Sequence, residues 1–174
     1  MTERTGAGQR RSAGPPQLSQ ALASFASGVT LVMIADGRDD IGTTVSAFCP
    51  VSLDPPLVLV ALMAGSYPAE AVARPGGPAG FAVTLLAAAQ RVLAGRFAAA
   101  GRPGARLMLD DVPHIRGRHS GALIVTGGLA ALDCATESLT AAGDHLLVIG
   151  RVLGVPYPAD AADPLIRFRG RYLG

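Results

Sequence analysis

With 174 residues, 49% of them hydrophobic and only 16% charged, the chain has apolar material for one core, and a surplus suited to a subunit interface. Its net charge of +2, with arginine as the only basic side chain besides three histidines, is too slight to mark a nucleic-acid binder. No run reaches the ~20 apolar residues of a membrane span, and the opening MTERTGAGQRRSAGPP has no apolar signal core, so a soluble cytoplasmic protein is expected.

Residues 1–16, rich in Gly, Arg, Ser and Pro, are expected to form a disordered tail, leaving 17–174 as a single domain. Leu18, Ala21, Leu22 and Phe25 recur at helical spacing and Gly28 ends the pattern, which predicts a short amphipathic helix. Val29 to Ala35 is β-branched and precedes the turn DGRDD, after which Ile41 to Val51 reads as one further extended segment, the two making a hairpin. Asp54, Pro55 and Pro56 break the chain before the wholly apolar run Leu57 to Met63. A Gly/Pro-rich connection over 75–80 leads to a strand at Phe81 to Leu86 and an Ala-rich helix over 87–100, ended by Gly101 and Pro103. Strands return at Ala122 to Val125, Leu129 to Leu139 and His145 to Val155, and Arg167, Arg169, Arg171 and Tyr172 suit an edge strand with one charged face. Six or seven strands joined mostly by short connections, with two or three short helices, predict a mainly β, antiparallel sheet closed towards a barrel.

Familiar catalytic signatures are missing. The sequence has no GxGxxG, no HExxH and no GxSxG, and without lysine a Walker A loop is impossible. His119 beside Ser120, near Asp110 and Asp111, reads as a loop rather than a hydrolase constellation, and His114 carries no other signal. Cys49 and Cys134 are too few for a zinc cluster or disulfide framework and are expected to be small buried side chains.

A series of segments does stand out: FASGVTLV from Phe25, GTTVSAFCPVSLDPPLVLV from Gly42, FAVTLL from Phe81, GRFA from Gly95, GDHLLVIGRV from Gly143 and PLIRFRGRY from Pro164. In order and composition they resemble the short-chain flavin reductases, the reductase components of two-component flavin monooxygenases, over nearly everything but the tail. The resemblance implies an FMN-binding split β-barrel with Greek-key strands, a homodimer that oxidises NADH or NADPH, reduces FMN or FAD, and supplies reduced flavin to a partner monooxygenase. Residue by residue it places Thr43, Thr44, Val45 and Ser46, with Phe48 beyond, against the isoalloxazine and ribityl chain. It places Ala64, Gly65 and Ser66 near the flavin phosphate, Phe97 and its neighbours on the flavin's other side, and Gly143, Asp144 and His145 near the nicotinamide. The chain departs from the family pattern at Tyr67 and Pro68, where another hydroxyl residue often follows Ser66, at Thr84, where Asn is common, and in a longer loop over 73–80.

The residues fit that chemistry physically. Hydride transfer between nicotinamide and flavin needs little acid or base from the protein, which has to align two flat rings, so a missing triad is expected. A strand such as TTVSAF offers backbone N–H groups and small side chains to a ring's polar edge, and Ser46 adds a hydroxyl. Arg91 or Arg96, on the helix ending near Phe97, are candidates for the phosphate because guanidinium pairs well with phosphate oxygens. His145 is the candidate catalytic residue, Tyr172 reads first as part of the edge strand with a flavin contact as its minor reading, and no metal is expected. Two alternatives are a non-catalytic flavin- or ligand-binding split barrel, and an oxidoreductase that keeps its flavin and reduces an organic substrate directly.

Overall fold

Aliphatic and β-branched runs become strands wherever turn formers bound them. The computed structural model describes residues 14–37, 39–158 and 162–174. Of the tail expected over 1–16, residues 1–13, with Arg4, Arg10 and Arg11, lie outside the described residues, while Pro15 and Pro16 open a helix. In chain order the elements are α1 (Pro15–Leu22), β1 (Ser27–Gly28), β2 (Thr30–Ala35), β3 (Asp40–Val45), β4 (Phe48–Leu53), β5 (Pro56–Met63) and α2 (Tyr67–Ala73). There follow β6 (Gly80–Leu85), a 3-10 turn (Ala88–Gln90), α3 (Arg91–Ala98), α4 (Ala105–Met108), β7 (His114–Arg116), β8 (Leu123–Val125), β9 (Ala130–Ala142), β10 (His145–Gly154), β11 (Ile166–Phe168) and β12 (Arg171–Leu173).

Seven strands form one antiparallel sheet in the order β3-β2-β6-β9-β10-β5-β4. Its two edges, β3 and β4, are consecutive in the chain, so the sheet has to roll until they are separated only by Ser46 and Ala47. The Ala61 N–H donates to the Ala47 carbonyl at 3.0 Å, yet β3 itself pairs only with β2, and the barrel stays split along that edge. This is the expected split barrel.

The segment read as one extended run from Ile41 to Val51 is thus two strands, broken at Ser46 because β3 and β4 belong to opposite edges. The C-terminal edge strand is likewise a small hairpin, with Arg169 and Gly170 at φ +47° and +75° making its turn. Such paired positive φ values match the twist of a two-residue hairpin. Helices α2 and α4 were not foreseen, and α1 begins three residues earlier than its periodicity suggested.

Every residue of β2 except Ala35 is buried, and its period of two feeds two cores. Val32 and Ile34 join Ile41, Val45, Val60, Phe81 and Val83 inside the barrel. Leu31 and Met33 join Phe97, Leu109, Ile124 and Leu165 beneath the helices. Strand β3 can lie close to α3 because Gly42 has no side chain: a Cβ there would sit 2.3 Å from the Phe97 ring. Cys134 is buried as expected, and burial pushes its thiol up to about 12. Cys49 is exposed on edge strand β4, contrary to expectation, because the sheet ends there.

Candidate active site

An edge strand leaves one row of backbone N–H and C=O groups outside the ladder. On β3 that row faces a groove of about 730 Å³, with Ser46, Ala47, Leu62 and Met63 at its side and the 98–105 segment across from them. The Gly42 carbonyl points out of the sheet, where the Arg102 Nε and Nη2 donate to it at 3.2 and 2.7 Å, while Nη1 donates to the Ala99 carbonyl at 3.1 Å. Two residues on, Thr44 presents its backbone groups on the same side. Arg102 is partly buried and has carbonyl partners but no carboxylate partner among the described residues, and burial lowers its pKa.

The far end of β3 is fastened by a buried charge. Asp40, 1% exposed, accepts from Arg106 Nε at 2.6 Å and from Arg116 at 3.0 and 3.1 Å. Burial alone would raise its pKa, but the two guanidiniums win and hold the carboxyl below its ordinary value. The ion pairs thereby tie α4 and β7 to the strand that lines the groove. The turn DGRDD gave no sign of this, since its partners lie 66 and 76 residues away.

Six of the residues singled out in the sequence meet at this groove: Thr43, Thr44, Val45 and Ser46 from β3 and its end, Ser66 from the turn after β5, and His145 at the start of β10. Ala64 and Gly65 shape the turn beside it, with Gly65 at φ +73° and the Ala64 N–H donating to the Asp144 carbonyl at 2.9 Å. Ser66 caps α2, its hydroxyl accepting from the Ala69 N–H at 3.4 Å. His145 sits opposite Met63 in the ladder, and its Nδ1 lies 2.7 Å from the Asp144 carboxylate. Gly143, at φ +62°, makes the turn that brings these two together. Hydrogen bonding to His145 lowers the Asp144 pKa.

The other residues stand elsewhere. Phe48 faces a largely apolar depression that adjoins the groove at Ser46 and Ala47. Phe97 is fully buried, reaching a side chamber of the groove from the core. Arg96 pairs on the surface with Asp111 at 3.1 Å and does not line the groove, and neither does Arg91. The arginine at the groove is Arg102, which lacks any local signature in AAAGRPG, and Asp39 and Asp40 line the same groove. Tyr172 lines the side chamber. His119 and Ser120 donate their backbone N–H groups to buried Asp133 at 2.8 and 3.0 Å, so GRHSG is a clamped loop.

A flavin presents a flat ring with a polar edge and an anionic tail. The donor set suits it: apolar Ile41, Val45, Ala47 and Leu62, hydroxyls on Thr43, Thr44, Ser46 and Ser66, outward backbone groups of β3, and the guanidinium of Arg102. The groove is also of a size typical for small-molecule sites, roughly 300–1,000 Å³.

Comparison with known proteins agrees with this chemistry. Residues 22–174 match the model of the flavin reductase like domain. An NADH-dependent FMN reductase from Streptomyces nodosus subsp. asukaensis is 33% identical over 159 residues, covering 91% of this chain and 84% of the relative. The reductase component of 4-hydroxyphenylacetate 3-monooxygenase from Thermus thermophilus is 37% identical over 153 residues, covering 88% and 91%. Among solved structures, the NADH:FAD oxidoreductase of Streptomyces globisporus in complex with NAD and FAD fragments superposes with a TM-score of 0.81 at 29% identity, covering 99% of this chain and 96% of the other. An edge-strand groove with this donor set, on a split barrel matched along almost its whole length, makes the chain a member of the flavin reductase family.

Proposed function

We propose that the chain oxidises a reduced nicotinamide and reduces FMN or FAD in the groove along β3, supplying reduced flavin to a partner monooxygenase. The observation that carries this reading is the groove itself: the open edge of β3 flanked by hydroxyls, with Arg102 on one side and His145 on the other. When bound, the nicotinamide supplies a hydride and the flavin accepts it, so the protein's tasks are to bind and align. Backbone groups and hydroxyls of Thr43 to Ser46 hold the polar edge of the ring, and Ser66 meets the ribityl-phosphate side. His145, held by Asp144, borders the space left for the nicotinamide. Ala64, Gly65 and Gly143 set the turns that place Ser66 and His145.

The protein acts as a homodimer in the cytoplasm. Leu22 and Phe25 are 62% and 76% exposed and, with Leu18, border a largely apolar depression shared with Phe48 and Cys49 of edge strand β4, Leu59 of β5 and Arg167 of β11. A second copy covers that face in this reading, and sedimentation at micromolar concentration checks it, a monomer counting against it. No helix among the described residues is long and apolar enough to cross a membrane.

Mixing the protein with NADH or NADPH and FMN or FAD, and following the nicotinamide absorbance, tests the activity. Turnover no faster than a blank without protein in all four combinations overturns it in favour of a non-catalytic flavin binder. His145→Ala sharpens the test: kcat/KM for the nicotinamide falls about tenfold to thirtyfold, the worth of one contact, while the flavin Kd stays unchanged. An unmoved kcat/KM removes His145 from the site.

A further inference from the structure

The groove along β3 has two walls, and both are tied to the short connection between β2 and β3. On one side Asp40 takes Arg106 and Arg116, which brings in α4 and β7. The Asp39 carboxylate packs against the same wall, so closely that a Cβ on Gly104 would sit 2.7 Å from its Oδ2. On the other side Asp36, the residue after β2, accepts from the Tyr67 hydroxyl at 3.2 Å and pairs with Arg74. The connection is closed by the Asp36 N–H donating to the Asp39 carbonyl at 2.9 Å. Asp36 does not line the groove, and no part of the proposed function uses it.

Tyr67 opens α2 and Arg74 caps its far end. Residues that far apart stand two helical turns from each other on one side, so a single carboxylate grips the helix along its whole length. The helix needs such a grip. Seven residues are too few to stay helical unaided, and the side it buries, Pro68, Ala69, Ala71 and Val72, is made of small side chains that give little apolar area. Yet α2 and its capping Ser66 form a wall of the groove, with Tyr67 and Pro68 beside Ser66. We infer that Asp36 is a positioning residue for the groove: by gripping Tyr67 and Arg74 it sets the α2 wall, and Ser66 with it, against β3 in the arrangement that takes the flavin. Once freed from Asp36, α2 stands in place in only a fraction of the molecules, and the apparent Kd rises by the inverse of that fraction. A bound flavin holds the wall itself, so kcat is spared. The inference rests on the flavin-reductase reading for the identity of the ligand, while the grip of Asp36 on α2 is independent of it.

Arg74→Gln carries the test, because the Arg74 side chain is 49% exposed and can be shortened without opening a cavity, whereas that of Asp36 is only 9% exposed. The Kd for FMN, from fluorescence quenching, and the KM for FMN are expected to rise about tenfold, the worth of one charge-assisted contact, with kcat within about twofold of the parent. Arg74→Lys, which keeps the charge, recovers most of the affinity. Asp36→Asn gives a similar rise, and combining it with Arg74→Gln gives no more than either alone, since both break one link. Glu70→Gln, which removes a charge from the exposed surface of α2, leaves Kd and KM at the parent values. The inference is overturned if Arg74→Gln moves Kd and KM no more than Glu70→Gln does, if kcat falls as far as KM rises, or if the double substitution multiplies the two single effects. Hydrogen exchange on the ligand-free protein reads the grip without any activity. The amides of residues 69–74 exchange about tenfold faster in Arg74→Gln, while those of β9 and β10 keep the parent rates. Exchange over 69–74 at the parent rate likewise overturns the inference. Should the parent fail to turn over NADH with any flavin, the reductase reading falls, and the exchange rates still decide whether Asp36 holds α2.

Discussion

Helix α3 buries Leu93, Ala94 and Phe97 against the sheet, whereas α1, also eight residues long, buries none of its side chains. Both show an apolar stripe in sequence, so periodicity alone cannot separate them. What differs is the surface beneath. Gly42 opens a seat on β3 for the Phe97 ring, and the 3-10 turn before α3 is tied down by Gln90, whose amide donates to the Thr126 carbonyl at 3.0 Å. Helix α1 precedes the two-residue strand β1 and borders the open edge of β4, with its leucines exposed. The lesson is that α3 belongs to the core of one chain, and that α1 has the composition of a core helix without a core.

The largest test of that contrast is truncation on each helix. Phe97→Ala removes a fully buried ring that packs on Met33 and Gly42, and costs about 3–5 kcal/mol in urea unfolding. Leu22→Ala in α1, by contrast, leaves the stability of a dilute monomer nearly unchanged and shifts the sedimentation equilibrium towards the monomer. Equal losses of stability at the two sites would erase the distinction.

A smaller effect is expected where charge, not apolar area, fastens the wall of the groove. Breaking a fully buried ion pair costs about 3–5 kcal/mol. Asp40 is buried but both arginines are about half exposed, so solvent screens the pairs and Asp40→Asn is expected to cost about 2 kcal/mol. The pH dependence has a definite sign. Because folding lowers the Asp40 pKa, its stabilisation is fully present above the ordinary aspartate value of about 4 and is lost as pH falls through the depressed folded value. The mutant's thermal midpoint is therefore less sensitive to acid below about pH 4 than that of the parent. Parallel acid curves would show that Asp40 contributes nothing through its charge.

How far these features can be read from sequence depends on their range. Runs such as LVLVALM and HLLVIGRV announce β5 and β10 because aliphatic content in a short window suffices. Thr43 to Ser46, Ser66 and His145 were reachable only through resemblance to a family, since nothing in their local spacing brings three distant segments together. Asp40, Asp133 and Arg102 were missed because each acts on a partner far along the chain or on a backbone carbonyl. The short helix α2 escaped notice as well. Its signals are a capping serine and a proline in the first turn, within a segment that otherwise reads as the exit of a strand.

Arg96 gives the finest version of the same contrast, because it sits on the well-packed helix α3 yet points away from everything that helix helps to build. Its sequence neighbourhood, GRFA, suggests a phosphate contact, but helical geometry separates it from Phe97 by about 100° and turns it to the outer surface. There it meets Asp111, and the side chains are 45% and 69% exposed. Pairs of that kind contribute about 0–1 kcal/mol. Arg96→Gln is accordingly expected to change unfolding stability by less than about 1 kcal/mol and to leave the FMN and FAD dissociation constants within about twofold of the parent. Fluorescence titration of both flavins checks this directly. A rise of about tenfold, the loss expected of a charge-assisted phosphate contact, would place the flavin tail across the outer face of α3 and remove the basis for assigning it to the groove beside Ser66.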